Sequence, residues 1–489
     1  MKTPVTRRIF FWTLFVSYFI ITSIVLFFVF GYRHDVKNKI FIYTGSLTLK
    51  TNPKDVNIKL NGEEPKSRLV NIINDSYFIT GLRPGQYDVE INLDNFKTWS
   101  KKINIHSGLS TELWNILLLR DEYEEETFDI KNIDDFFPAP QENIFAMTSQ
   151  MGNTLIAYVF DTKKNKSINS FVFPKTIFTD NVYENIEWSP NSNQLIIPVI
   201  VQDKNLESND YIIASMKTSK AEYLSELINS NDMKSVRWDP EEKNVIYFLM
   251  KGSLYRLDLD GEEQDLQNDV ILSDVFAYDF ADDGIYALSM NGELLYGGDK
   301  KEASNMEKIT TFDISRHGND YRLIAYDNHR VIVMDDNNGN LYLYNKGEKN
   351  IYTKQIGSNI IGAHFSDDGK KLLFYSPFEI FIYITRDTEA QPVRYEDQTQ
   401  SVVRFSQKLD NVHFSKNYEH VIYTVDGDIK ITELDYRGSR ITDTIMNLEN
   451  VKTTVINKHK MNELFFINTS INDERQLRSI NFPEKETLF

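Results

Sequence analysis

A repeat constrains the fold of this chain more than any other feature of its sequence. An aromatic residue, a turn rich in Ser, Asp, Pro and Asn, and an apolar strand recur about every 39 to 51 residues, with room for about four strands per copy. Such a period is the signature of a mainly β fold, the β-propeller. Five clear copies begin at Trp188, Trp238, Phe280, Phe365 and Phe414, and three degenerate copies are centred on Phe137, Tyr326 and Asn457.

The turn of this repeat also carries a family resemblance. Trp188-Ser189-Pro190-Asn191 and Phe365-Ser366-Asp367-Asp368-Gly369 resemble the blade turns of TolB-like and WD40-like propellers. The resemblance implies a propeller over residues 127–489, with eight blades, or seven if one degenerate copy is an insertion. An open array would leave a strand edge free to pair, so we expect a closed ring. Residues 127–130 are predicted to supply the outer strand of the last blade.

Residues 45–119 form a second β region. Apolar and polar residues alternate in short runs separated by Asn-Gly and Pro-Gly turns, which predicts antiparallel strands with one buried face. Asn52-Pro53-Lys54-Asp55-Val56 and Gly81-Leu82-Arg83-Pro84-Gly85-Gln86-Tyr87 resemble the PEGA domain. That resemblance implies a small β-sandwich of the kind found in bacterial and archaeal envelope proteins, with a scaffolding or adhesive role and no catalytic residues. Asn95-Phe96 replaces the family's usual Gly-Tyr pair.

The N-terminal region predicts a membrane anchor. Residues 9–30 carry no charge, and as a helix they would cross the ~30 Å hydrocarbon core. A cleaved signal peptide would have a shorter apolar region and a small-residue cleavage site. The anchor follows a short tail, residues 1–8, and precedes a polar linker, residues 31–44. An acidic run at residues 120–126 predicts a second linker, and a hinge, before the propeller.

The orientation of the anchor does not follow from charge alone. Three basic residues flank each end: Lys2, Arg7 and Arg8 on one side, and Arg33, Lys37 and Lys39 on the other. The positive-inside rule therefore gives a tie. A short tail before a single anchor usually stays inside, so we expect a single-pass protein with its N-terminus in and the bulk of the chain extracytoplasmic.

Composition excludes several classes of function. The chain has 71 acidic and 54 basic side chains, a net charge of −17, which argues against nucleic-acid binding because phosphates need a basic face. It has no cysteine, so disulfides, cysteine zinc sites, thiol nucleophiles and iron–sulfur clusters are all excluded. The absence of cysteine does not fix the compartment.

The histidines predict no metal or catalytic site. There are eight, at positions 34, 106, 317, 329, 364, 413, 420 and 459, without an HExxH motif. His364 and His413 each stand directly before the first aromatic residue of a repeat copy, and equivalent positions in repeats favour a shared packing role over metal binding. No Gly-x-Ser-x-Gly elbow is present, which separates the chain from propeller peptidases with a serine hydrolase domain.

Acidic clusters likewise favour turns over chemistry. Asp335–Asn340 invites a calcium-loop interpretation, but the first ligand position would be Met334 and no Glu follows at the twelfth. Asp279–Gly284 is no calcium loop either, because Met290 occupies the twelfth position. Asp282-Asp283 and Asp367-Asp368 occupy the same turn of the repeat, which makes them poor candidates for paired catalytic carboxylates. The sequence therefore predicts no catalytic, cofactor-binding or metal-binding residue, and no cofactor.

These observations leave three hypotheses for function. The first is a non-enzymatic, membrane-anchored scaffold of the cell envelope whose propeller binds a protein or a cell-wall glycan. The second is a hydrolase or lyase whose site is scattered over the loops of the propeller's top face and so escapes a motif search. The third keeps the binding role but places the domains in the cytoplasm.

Overall fold

The computed structural model describes most of the chain and shows a mainly β protein with one long N-terminal helix. Described are residues 4–35, 39–71, 73–141, 143–181, 183–203, 206–260, 270–298, 306–311, 320–449, 454–458, 460–469 and 474–483. Lys2, Lys37, His317 and His459, which entered the arguments on charge and histidines, lie outside these residues.

Helix α1 spans Pro4–Val29 and is long and apolar enough to cross a membrane or to act as a signal anchor. Proline suits the first turn because its missing N–H would have no partner there. Two residues after the helix, Gly31 has a φ of +87°, a conformation that turns the chain out of the helical direction. The protein buries no part of the apolar span. The helix begins five residues earlier than the uncharged stretch 9–30.

A hairpin follows the helix within the predicted linker 31–44. Strands β1 (Tyr32–Asp35) and β2 (Ile40–Tyr43) pair in antiparallel register. Tyr32 stacks on Phe27 of α1 and on Tyr43, with ring centroids 4.4 and 4.8 Å apart. The Tyr43 ring lies so close to Gly108 that a Cβ there would clash at 2.3 Å. The hairpin therefore joins the helix directly to the β region that follows.

Residues 45–117 form two sheets that share one hydrophobic core. Strands β3 and β9 pair in parallel at one edge of the first sheet, and the remaining pairs are antiparallel. Leu47, Leu49, Ile58, Val89 and Ile91 are fully buried in this core. We call this region the small β unit. Its first sheet has the order β5 (Arg68–Asn71), β6 (Ser76–Leu82), β3 (Gly45–Asn52), β9 (Ser110–Leu117); its second has the order β4 (Asn57–Leu60), β7 (Gly85–Asn92), β8 (Trp99–Ile105).

Eight antiparallel sheets follow within the described residues, seven of four strands and one of five; we number them as propeller sheets 1 to 8. Sheet 1 contains β11 (Asp135–Pro138), β12 (Ile144–Met151), β13 (Thr154–Asp161) and β14 (Lys166–Pro174). Sheet 2 contains β15 (Thr176–Phe178), β16 (Glu187–Trp188), β17 (Gln194–Asp203), β18 (Leu206–Ser215) and β19 (Lys220–Tyr223), followed by helix α2 (Leu224–Ile228). Sheet 3 contains β20 (Met233–Trp238), β21 (Val245–Met250), β22 (Ser253–Asp258) and β23 (Val270–Ser273). Sheet 4 contains β24 (Val275–Phe280), β25 (Ile285–Ser289), β26 (Glu293–Gly297) and β27 (Glu307–Thr311).

The second half of the array repeats the same order of strands. Sheet 5 contains β28 (Tyr321–Asp327), β29 (Arg330–Asp335), β30 (Asn340–Lys346) and β31 (Ile351–Gly357). Sheet 6 contains β32 (Gly362–Phe365), β33 (Lys371–Tyr375), β34 (Glu379–Ile384) and β35 (Gln398–Arg404). Sheet 7 contains β36 (Leu409–Phe414), β37 (His420–Val425), β38 (Asp428–Glu433) and β39 (Thr442–Asn447). Sheet 8 contains β40 (Val455–Lys458), β41 (Glu463–Thr469), β42 (Arg475–Asn481) and β10 (Glu126–Lys131).

Hydrophobic clusters join these sheets into a closed ring. Each consecutive pair of sheets shares one buried cluster, from sheets 1 and 2 through to sheets 7 and 8. A further cluster joins sheet 8 to sheet 1, with Phe128 and Phe465 packed against Phe145 and Phe160. Both faces of every sheet are thus buried against neighbours, which defines a β-propeller. Strand β10 pairs with β42, so the prediction that residues 127–130 close the ring is confirmed.

The eight repeat positions found in the sequence all lie on the first strand of a sheet. The two tryptophans also show why an aromatic residue recurs there. The indole N–H of Trp188 donates to the carbonyl oxygen of Phe137 at 3.1 Å, and that of Trp238 to the carbonyl oxygen of Glu187 at 3.2 Å. Each tryptophan therefore binds its own sheet to the one before it.

The small β unit is docked on propeller sheets 6 and 7 through buried polar contacts. The Lys101 ammonium, on β8, lies 2.5 Å from a Glu433 carboxylate oxygen and donates to the Asp435 carbonyl oxygen at 2.7 Å. The side chains of Lys101 and Glu433 are 0 % and 7 % exposed. Gly438 approaches β8 so closely that a Cβ would lie 2.0 Å from the Lys102 carbonyl oxygen. The two regions form an extensive interface beyond their covalent connection.

The acidic segment 120–126 lies between these two regions and contacts both. Arg120 lies over the Phe96 ring of the small β unit at 5.0 Å. Tyr123 contacts Phe482 of the propeller, and Glu125 forms an ion pair with Arg478 at 2.7 Å. The role of this segment as a hinge stays a prediction.

Candidate functional site

The candidate site is a cavity of about 840 Å³ where the first strands of propeller sheets 2 to 5 converge. Its polar walls carry more negative than positive side chains. The carboxylates are Asp180, Glu184, Glu187, Asp279, Asp320 and Asp336, and the cations are Lys234, Arg237 and Arg322. Tyrosines line it as well, at positions 183, 211, 278 and 321.

A loop from sheet 2 contributes to this cavity because the first strand of that sheet is interrupted. Strands β15 and β16 both pair with β17, on either side of Pro198. Proline has no N–H for a ladder hydrogen bond, and it occurs in sheets at edges or irregularities. Between the two strands, residues 179–181 and 183–186 leave the sheet and line the cavity.

Two contacts hold the interrupting loop across the cavity. The Arg322 guanidinium, from sheet 5, lies 3.7 Å from the centroid of the Tyr183 ring and binds the Asp336 carboxylate at 2.7 Å. The Tyr211 hydroxyl donates to Glu184 at 2.7 Å. Burial and the neighbouring Glu184 carboxylate raise the pKa of Tyr211, so the phenol keeps its proton and remains a donor.

A chain of three charged side chains crosses from sheet to sheet on the cavity wall. The Arg237 guanidinium donates to Glu187 at 2.9 Å and to Asp279 at 2.8 Å, and Asp279 accepts the backbone N–H of Ala325 at 2.8 Å. Burial raises the pKa of the Glu187 carboxyl, and the Arg237 charge opposes that rise. One arginine thus forms ion pairs with two carboxylates and links sheets 2, 3 and 4.

The two histidines predicted to share a packing role lie against each other. His364 and His413 stand on the first strands of sheets 6 and 7, with ring centroids 6.0 Å apart, and His364 also contacts Phe414 edge-on at 5.6 Å. Burial, with a smaller contribution from His413, lowers the pKa of His364 to about 3. Among the described residues, no three His, Asp or Glu side chains are grouped so that they could hold a metal ion.

The acidic turns serve the backbone. Asp335 accepts the N–H groups of Asn337 and Asn338, and Asn338 donates from its amide back to Asp335, which makes Asp335–Asn340 the turn between β29 and β30. Asp368 accepts the Ser366 hydroxyl at 2.6 Å and the Lys370 N–H at 3.0 Å. Asp335–Asn340 and Asp367-Asp368 thus lie in turns, as predicted, whereas Asp279 of the Asp279–Gly284 run lies on β24.

Sequence reasoning missed the charged wall of the cavity, although a signal for it was available. Glu187, Arg237 and Asp279 each precede the first aromatic residue of a repeat copy, as do His364 and His413. Aligning the repeats at that position would have grouped these five side chains. Tyr183 carries no such signal, because its loop interrupts the first strand of sheet 2 and has no counterpart in the other described sheets. Arg322 carries none because it stands four residues before Tyr326, away from the aligned position.

The comparisons with known proteins are limited to weak structural similarity. No protein-family model and no curated protein matches the chain. The β-propeller domain of Cps50 (Swd1) from Myceliophteria thermophila is 11 % identical, with 72 % of this chain and 98 % of that chain covered and a TM-score of 0.39. The Dos1 propeller is 10 % identical, with 75 % and 97 % covered and a TM-score of 0.46.

A third similar structure belongs to an enzyme. An oligogalacturonate lyase in complex with manganese is 9 % identical, with 74 % of this chain and 98 % of that chain covered and a TM-score of 0.37. Identities and TM-scores of this size transfer no function, so the case for function depends on the chain's own geometry.

Proposed function

We propose that this chain is a single-pass, membrane-anchored scaffold of the bacterial cell envelope, with its N-terminus inside and its β domains extracytoplasmic. The observation that carries the proposal is the continuity of the molecule from anchor to propeller. Helix α1 is uncovered along its apolar span, the hairpin β1–β2 follows it directly, and the small β unit is docked on the propeller through the buried Lys101–Glu433 pair.

The aromatic side chains at the end of α1 support the anchor. Phe41, on the hairpin, is exposed and contacts Phe27 edge-on, with centroids 5.0 Å apart. Tyr32 and Tyr43 stack beside them. Aromatic rings favour the interface between lipid and water, so this cluster suits the outer end of a membrane-spanning helix. The small β unit would then stand on the membrane surface without a long tether.

The same proposal includes the number of propeller blades and the class of the small β unit. We infer eight blades, because the eight described sheets correspond one to one with the eight repeat copies in the sequence. We assign the small β unit to the PEGA class on its Pro-Gly turn and its two-sheet core. Propellers and PEGA-class domains are both modules that present binding surfaces, and this favours a protein or a cell-wall glycan as the partner.

Capture from intact cells tests the binding role. The full-length chain, tagged and cross-linked in its membrane, is compared with a control in which the same anchor carries an unrelated soluble domain. The proposal predicts an envelope protein or cell-wall fragment that is enriched with the full chain alone and that binds the purified chain again. No enrichment, together with turnover of a polysaccharide or peptide by the purified chain, would contradict it.

The cavity at propeller sheets 2 to 5 supports an enzyme as the second candidate. Glu187 has a raised pKa and lies on a cavity of enzyme-like size, which suits a general acid. Its pairing with Arg237 weakens that case, since the arginine stabilises the ionised carboxylate. Glu187→Gln should leave partner capture unchanged if the chain is a scaffold and should abolish turnover if it is an enzyme.

A further inference from the structure

A second cavity, separate from the one at propeller sheets 2 to 5, lies in the cleft between the small β unit and propeller sheets 7 and 8. Its volume is about 640 Å³, a size typical of ligand sites, which favour the junctions between domains. The small β unit contributes Lys50, Thr51, Asn52, Trp114, Asn115, Ile116 and Leu117, and the propeller contributes Ser415, Lys416, Asn417, Asn462, Phe482 and Pro483.

The charge of this interdomain cleft is opposite to that of the whole chain. Two lysines and no carboxylate belong to its described lining, although the chain has a net charge of −17. Neither Lys50 nor Lys416 has a carboxylate oxygen within 4.0 Å among the described residues, and Lys416 donates to the Asn462 side chain at 2.9 Å. The cleft is therefore suited to an anionic ligand, in contrast to the acidic cavity at propeller sheets 2 to 5.

The remaining side chains of the cleft are amides, hydroxyls and one tryptophan. Asn115 and Asn417 are hydrogen-bonded across the two domains at 3.3 Å. Trp114 is fixed by its indole N–H, which donates to Glu112 at 2.8 Å. Thr51 is only 5 % exposed, and its hydroxyl has no hydrogen-bond partner among the described residues. The amides of Asn115 and Asn417 and the Trp114 ring are therefore the polar and aromatic groups that the cleft offers to a ligand.

We propose that this cleft binds an anionic polysaccharide. Amides and hydroxyls can both donate to and accept from sugar hydroxyls, a tryptophan ring offers apolar surface to the C–H face of a sugar ring, and the two lysines attract acidic substituents. An acidic peptide would also use the lysines and could pair its backbone with the amides, but it presents no sugar ring to the face of Trp114. The inference rests on the proposed function, because it names the partner class of an extracytoplasmic scaffold.

Matched polymers and matched variants test the proposal. The full-length chain, in detergent or nanodiscs, is titrated with carboxymethyl dextran, with unmodified dextran and with polyglutamate, which separate charge from sugar. The cleft variants are Trp114→Ala and the double variant Lys50→Gln/Lys416→Gln. Their controls, Tyr395→Ala and Lys163→Gln, remove an exposed tyrosine and an exposed lysine elsewhere on the propeller. Thermal unfolding of each variant establishes that it is folded.

The expected result is saturable binding of carboxymethyl dextran, weakened at least tenfold in both cleft variants and unchanged in both controls, with weaker binding of dextran and of polyglutamate. Equal binding by the double variant, or no binding by the wild type, would overturn the proposal. Equal affinity for polyglutamate would also overturn it and would indicate an acidic peptide. None of these failures changes the capture of an envelope protein, so the two proposals can fail separately.

Discussion

Buried histidines give the propeller a dependence on pH that a surface histidine could not. Burial lowers the pKa of His364 to about 3 and that of His420 to about 4, from an ordinary value of 6.5. Between these values and pH 6.5 the unfolded chain binds more protons than the folded chain, so acid favours unfolding. The contribution of these residues to stability is complete above pH 6.5 and is lost as the pH falls towards 3 to 4.

His364→Phe should therefore flatten the pH dependence of stability. The wild-type midpoint of thermal unfolding should fall as the pH is lowered from 7 to 4, and the variant should show a smaller fall, because a phenyl ring fills the site without titrating. His106→Phe, at an exposed position, should keep the wild-type profile. Parallel profiles for wild type and His364→Phe would show that this ring does not contribute to the acid sensitivity.

For single residues, the sequence predicted which side chains occupy equivalent places in the repeat, but it did not predict which side chains contact each other. The position of His364 and His413 before the first aromatic residue of a copy indicated equivalent places in the fold, and the structure puts their rings 6.0 Å apart. Aligning the repeat copies would have grouped Arg237 with Glu187 and Asp279, 50 and 42 positions away, but it could not show that the arginine binds both carboxylates. Such pairs depend on how neighbouring sheets are rotated about the ring, which a repeat period does not specify.

At the scale of elements, the closing strand β10 deserves the most direct test. Phe128 is buried between sheets 8 and 1, with its ring 5.9 Å from Phe465 and 6.3 Å from Phe160. Phe128→Ala should lower the free energy of unfolding by about 3 kcal/mol or more, because it leaves a cavity at the closure of the ring. Chemical denaturation measures this change. Val172→Ala, on the exposed side of β14, should change it by about 0.5 kcal/mol or less.

Strands that belong to the repeat were predicted correctly. The divided first strand of sheet 2 and the hairpin β1–β2, which do not follow the repeat, were not predicted. All eight first strands and the closing strand followed from the repeat and from the need to leave no free edge. The division of the first strand of sheet 2 was missed, although Pro198 in the middle of β17 signals it. The hairpin β1–β2 was also missed within the predicted linker 31–44, because its strands of four residues carry little pattern of their own.

At the scale of the whole molecule, the buried Lys101–Glu433 pair is expected to hold the small β unit to the propeller. Lys101→Met should cost about 3 kcal/mol, because it leaves the Glu433 carboxylate buried without its cation. It should also speed protease cleavage within residues 120–126. In the double variant Lys101→Met/Glu433→Gln the loss should be clearly smaller than the sum of the single losses. Additive losses would show that the pair does not couple the two regions.

We propose that the β domains stand outside the membrane that α1 crosses, and the lack of cysteine makes this topology directly testable. Thr6→Cys and Lys408→Cys place a single thiol before the apolar span and on the exposed surface of the propeller. Bacterial spheroplasts are treated with a membrane-impermeant maleimide before and after permeabilisation. If the β domains are extracytoplasmic, position 408 is labelled in intact spheroplasts and position 6 only after permeabilisation. The reverse pattern would contradict this topology and would place the propeller in the cytoplasm.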